Sequence, residues 1–140
     1  MNLPSSDTRI LLVDGQRFTQ AIIANMLRSL GFIDITLASS AVQALTIMQN
    51  GETDGFDLVV LNQTLPDFEG TDVLKMIRDG RVGIPADTKV LILSNISEEK
   101  VVRTAFAYGV DGFLMMPVSM AALGRRIYRI LDPAQATNVA

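Results

Sequence analysis

Five short apolar runs recur along the 140-residue chain, at 10–13, 35–38, 58–61, 90–93 and 112–115. Four are continuous or nearly so, instead of alternating with polar residues. That is the pattern of strands buried on both faces in a parallel sheet. Between the runs the apolar spacing becomes helical. Over 16–30, Ile22, Ile23, Met26, Leu27 and Leu30 fall on one stripe, and Gly31 supplies a C-terminal stop. A second helix is predicted over 41–49 with Ala41, Ala44, Leu45 and Met48 on one side, and a third over 71–78 with Val73, Leu74 and Ile77 inward. A fourth covers 98–108, with Ser97 as N-cap, Glu98 and Glu99 at its positive end and Gly109 stopping it. The fifth spans 119–131, with Leu123, Ile127, Ile130 and Leu131 inward.

The order is strand then helix, five times. Right-handed crossovers make that an α/β fold, (βα)5, a doubly wound five-stranded parallel sheet with helices on both faces. The domain runs over 9–132, and 1–8 and 133–140 read as tails. In such sheets ligands meet the carboxyl ends of the strands. The residues there are Asp14 and Gly15, Asn62 to Thr64, Ser94 and Asn95, and Met116 and Pro117.

Composition narrows the chemistry. Hydrophobic residues make up 49% and charged residues 19%, which excludes a disordered chain. Cys is 0 and His is 0, which excludes thiol catalysis, Ser-His-Asp triads, Cys- or His-based metal sites and histidine phosphotransfer. The net charge of -3 argues against broad nucleic-acid affinity. No apolar run approaches the roughly 20 residues of a membrane span, and the start lacks a signal-peptide pattern, so a cytoplasmic protein is expected. The sequons at Asn62 and Asn95 are then coincidences, and Asn50-Gly51 is a turn.

The segments RILLVDG, DLVVLNQTLPDFEG, KVLILSN and GVDGFLMMPVS carry a resemblance. They resemble the receiver domain of bacterial response regulators, from Arg9 to Leu131, a flavodoxin-like fold. The resemblance implies an aspartate at the end of the third strand that accepts a phosphoryl group from a histidine kinase. It implies an acidic pair after the first strand that holds Mg²⁺ with it, a Ser or Thr ending strand four and a lysine ending strand five. Such a set fits the chemistry, because Mg²⁺ wants hard oxygen ligands and the metal and ammonium screen charge on the transferring phosphoryl group. Here Asp14 stands at the first acidic position, but Gly15 replaces its neighbour. Asn62 stands at the phosphoacceptor position, with Thr64 close after it. Ser94 keeps the hydroxyl, and Met116 replaces the lysine, followed by Pro117.

Asn62 is a neutral amide and cannot form an acyl phosphate. The reading is a pseudo-receiver: a single-domain atypical response regulator, not an enzyme, acting in a two-component pathway through phosphorylation-independent protein–protein interaction. No cofactor is expected, and Mg²⁺ binding is expected to be weak or absent. The partner is a histidine kinase, a phosphotransfer protein or an output effector; a homodimer is allowed, and neither DNA nor membrane is a target. Candidate partner-binding residues are Phe18 on the first helix, Val102 and Phe106 on the fourth, Phe113 on the fifth strand, and Arg126 and Arg129 on the last helix. Two alternatives stay open. One is a genuine phosphoacceptor receiver in which Asn62 was introduced in place of Asp. The other is a sensor of a small anion or nucleotide through Arg125, Arg126 and Arg129, in a region (119–140) whose net charge of +2 contrasts with -5 for the rest.

Overall fold

The computed structural model describes residues 6–50 and 55–132. Residues 1–5 of the expected tail at 1–8, the expected tail at 133–140 and Gly51 of the expected turn lie outside the described residues. The elements alternate: β1 (Arg9–Val13), α1 (Arg17–Ser29), β2 (Asp34–Ala38), α2 (Ala41–Gln49), β3 (Leu58–Asn62), α3 (Gly70–Arg78), β4 (Lys89–Ser94), α4 (Glu99–Ala107), β5 (Gly112–Met115) and α5 (Met120–Leu131). The strands form one parallel sheet in the order β2-β1-β3-β4-β5. The expected (βα)5 architecture is the observed one.

The continuous apolar runs belong to the three central strands, whose residues alternate between two cores. Leu11, Val13, Val59, Leu61, Val90 and Ile92 pack toward α2, α3 and α4. Ile10, Leu12, Leu58, Val60, Leu91 and Leu93 pack toward α1 and α5. Every one of these is at most 2% exposed, so the strands cannot slip register without placing apolar side chains opposite the wrong layer. β2 and β5 are the sheet edges and are only partly covered. Chain direction reverses its lateral progress between β1 and β3, which opens a crevice at their carboxyl ends. The period-2 alternation that turns Leu58 and Val60 toward α1 and α5 places Asn62 on that same side.

Helix ends follow local chemistry, with one departure. Gly31 and Gly109 adopt φ of 101° and 84°, the left-handed geometry of C-terminal stops. The hydroxyl of Ser119 accepts from Ala122 N at the start of α5. At α4, however, the N-cap is Glu98 and not Ser97: the first turn closes on the Glu98 carbonyl, which accepts from Val101 N and Val102 N. Glu69 and Asp72 form a reciprocal capping box at α3. Among the described residues no helix is long and apolar enough to cross a membrane.

Candidate functional site at the strand carboxyl ends

Asp14 leaves β1 almost fully buried. Its Oδ1 accepts from Gln16 N at 2.8 Å, a local turn that starts α1. Its carbonyl and that of Ala38 both accept from Gln20 Nε2, at 3.2 and 3.0 Å, so one buried amide ties the ends of β1 and β2 together. Asn62 ends β3 and is 7% exposed. Its Oδ1 accepts from Thr64 N at 3.0 Å. Thr64 itself is exposed at the rim. Ser94 is completely buried, and its hydroxyl is occupied locally: it accepts from Ile96 N at 2.9 Å and donates to Ile96 O at 3.2 Å. Met116 is anchored by its N–H to the Ser94 carbonyl and precedes Pro117 in a cis peptide.

Gly15 is closely packed. A Cβ there would lie 2.7 Å from Pro66 Cδ and 3.3 Å from the Ser39 carbonyl oxygen. The β3–α3 loop thus sits in the room a side chain would need. Asp67 holds the loop down. Its Oδ1 accepts from Ala41 N and Phe68 N, and its Oδ2 from Val42 N, at 2.9 to 3.0 Å. The Val42 N–H foremost, then those of Ala41 and Phe68, keeps the Asp67 carboxyl below the ordinary carboxylate range, against an opposing cost of desolvation. On the inner side Gln63 clasps the start of α3, its amide bonded to the Thr71 N–H and hydroxyl. Gly70 is required there, since a Cβ would meet the Asn62 carbonyl oxygen at 2.8 Å. Sequence reasoning missed Gln20 altogether, and it assigned no role to Gln63, Pro66 or Asp67 although they fall in the segments it singled out. Only the short loop containing Pro66 and Asp67 gave a hint, because Pro and Asp are turn formers.

Asn62, Thr64 and Met116 line a cleft of about 390 Å³ between α1 and the β5–α5 connection. Asp14, Gly15 and Ser94 do not line it. Ile22, expected in the core stripe of α1, instead lines this cleft and is 40% exposed, whereas Met26 lines the cleft and also packs against the core as expected. Ala24 joins Ile23, Met26, Leu27 and Leu30 on the core side of the helix. Of the expected partner-binding residues, Phe18 is 79% and Phe106 54% exposed. Val102 is half-buried. Phe113 packs partly against the α2–α3–α4 core. Arg125 and Arg129 are exposed, whereas Arg126 lays its stem over β5 at Gly112.

Residues 10–128 match the family model described as the response regulator receiver domain. The chain belongs to this family. It is a CheY-like receiver, a module of two-component signalling. It is 29% identical over 130 residues to the chemotaxis protein CheY-3 of Vibrio cholerae, covering 91% of this chain and 95% of that protein. A CheY-like receiver domain protein from Methanospirillum hungatei superposes with a TM-score of 0.77 at 25% identity, covering 93% of this chain and 98% of that one. The receiver domain of the sensor histidine kinase PA1611 from Pseudomonas aeruginosa superposes with a TM-score of 0.72 at 25% identity, covering 87% and 94% of the two chains.

That last structure has a magnesium ion coordinated in its active site cleft, and it overturns the expectation of no cofactor with Mg²⁺ weak or absent. The physical reason lies in what Mg²⁺ needs. It keeps several waters and is commonly held by one or two carboxylates, so counting lost carboxylates does not by itself dismiss it from this receiver. Asp14 meets that minimum, since only its Oδ1 is engaged by the backbone. Asn62 offers an amide oxygen already accepting from Thr64 N.

Proposed function

We propose that this receiver signals without being phosphorylated, by binding another protein of a two-component pathway: a histidine kinase, a phosphotransfer protein or an output effector. One observation carries the reading. The side chain that closes β3 is the neutral amide of Asn62, its oxygen fixed on Thr64 N, where the resemblance puts a nucleophilic carboxylate. An amide presents no anionic oxygen to attack a phosphoryl group. Two surroundings agree with it. Met116 supplies no cation at the end of β5, and Ser94 spends its hydroxyl on Ile96 instead of pointing it at the end of β3. A magnesium ion, when bound, would be held by Asp14 and would add positive charge beside its carboxylate. The interaction itself rests on side chains that face outward, Phe18 on α1 and Phe106 on α4, with Val102, Phe113, Arg126 and Arg129 as further candidates on α4, β5 and α5.

The test is acetyl phosphate treatment with Mg²⁺ followed by mass spectrometry, alongside partner capture from the source cells. The expected result is an unmodified chain that still retains its partner. A phosphorylated species mapping to the end of β3, or partner binding that appears only after such treatment, would sink the reading.

A further inference from the structure

The cleft beside Asn62 has the make-up of a small-molecule site and not of a phosphoryl site. Its volume of about 390 Å³ falls within the range of ligand pockets. Its walls are apolar: Ile22, Ile23 and Met26 from α1 face Met116, Pro117 and Val118. None of its lining residues is charged, and the polar ones are amides and hydroxyls. Asn62 is the distinctive member. It is more than nine-tenths buried, and its Oδ1 is taken by Thr64 N, which fixes which way the amide points. Among the described residues its Nδ2 has no acceptor. Yet no sealed side-chain nitrogen or oxygen among them lacks a partner. The Nδ2–H group is therefore not sealed, and the space that Asn62 lines is this cleft. A nearly buried donor without a partner, next to apolar walls, is an anchor waiting for an acceptor.

We propose that this cleft binds a small uncharged molecule with an apolar body and a carbonyl-type oxygen, the oxygen accepting from Asn62 Nδ2 and the body lying between α1 and Met116–Val118. This deepens the reading of Asn62 and Met116 as a neutral pocket and rests on it. An ionised ligand is disfavoured because nothing in the lining compensates the loss of its hydration. Methionine walls suit such a guest, since Met26 and Met116 are flexible and polarisable and make favourable contacts with aromatic rings. The site gives the receiver an input other than phosphorylation. Its floor is the end of β3 and its wall is the β5–α5 connection, so an occupant touches the same strand ends that the resemblance assigns to the phosphoryl group.

The experiment is an NMR titration of the full chain with two probes of the same shape, 4-phenylbutanamide and 4-phenylbutanoate, near neutral pH. The expected result is saturable shifts at Thr19, Ile23, the Asn62 side-chain amide and Val118 with the amide, and binding of the carboxylate weaker by about tenfold. Asn62→Leu, which stays neutral but loses the donor, should weaken the amide by about fivefold. Met116→Lys, at a partly exposed position, should reverse the preference toward the carboxylate. Failure of both probes to shift cleft residues overturns the proposal, as does equal affinity for the two, or a preference indifferent to Met116→Lys. Such a failure leaves the acetyl phosphate result untouched, and labelling at the end of β3 would be a separate failure of the reading beneath it.

Discussion

Asp67 reaches from the β3–α3 loop to the first backbone N–H groups of α2, across 25 positions of sequence from Val42. Because those donors hold its folded pKa below the ordinary carboxylate range, its contribution to stability is complete above that range. It is lost as the pH falls through the lowered folded value. Asp67→Ala is therefore expected to lower the melting temperature at neutral pH and to converge on the parent protein in acid; a difference between the two that persists unchanged well below the carboxylate range would contradict this. Asn62→Asp supplies a nucleophile without a cation at Met116. Since one preorganised electrostatic contact is worth about 10² to 10³ in rate, adding Met116→Lys to Asn62→Asp should speed acetyl phosphate labelling by about that factor, read by mass spectrometry over time. At this scale the sequence shows directly which residue types stand at the strand ends, Asn62 and Met116 among them. It was silent on Gln20, Gln63 and Asp67, because a capping or clasping role depends on a partner from another segment, and no local pattern marks it.

Among the helices, α4 is the least committed to the core: only Ala105 is buried in it. The sequence pattern left open whether Phe106 turns inward or outward, since Val101, Ala105 and Tyr108 form one stripe and Val102 and Phe106 the next. The structure turns Phe106 outward. Phe106→Asp should accordingly change stability by no more than about 0.5 kcal/mol, as for other surface substitutions, while weakening partner capture markedly. A large loss of thermal stability would mean that Phe106 is part of the core. Strands and helix bodies were legible because burial on both faces and the 3.6-residue stripe are strong periodic signals. Helix starts were less so: Ser97 has the preferred cap chemistry, yet α4 starts one residue later, where the backbone closes on the Glu98 carbonyl.

Across the whole molecule, Arg78 fastens the end of the sheet away from the cleft. From the last turn of α3 its guanidinium donates to the carbonyls of Ala86, Thr88 and Gly109 and pairs with Asp111 at 2.9 Å. Asp111 in turn accepts from Val90 N. One side chain thereby joins α3 to the segments that lead into β4 and β5. Lysine has the charge but not the planar fork, so Arg78→Lys should cost about 2 kcal/mol through carbonyls left without donors. Urea denaturation measures it, and the probe titration of the cleft should be unaffected. The topology itself was readable in advance, because five buried runs separated by helical stripes admit few parallel arrangements. This fastening was not, since Arg78 looks in sequence like an ordinary basic residue near a helix C-terminus.

Pro66 gives the receiver a history that runs more easily in one direction. With its ring in the space that a Cβ on Gly15 would fill, and Asp67 pinning the loop, an acidic side chain at position 15 has no room until the loop relaxes. Building an acidic pair after β1 is thus an ordered sequence of events and not a free choice among single substitutions. A carboxylate added first would lose stability before it gained any chemistry, whereas loosening the loop first forfeits a helix cap with nothing in return. Each single step lowers the stability of the protein that takes it. A lineage that reaches this arrangement is expected to diversify outward, toward new surfaces and ligands, in preference to retracing its path.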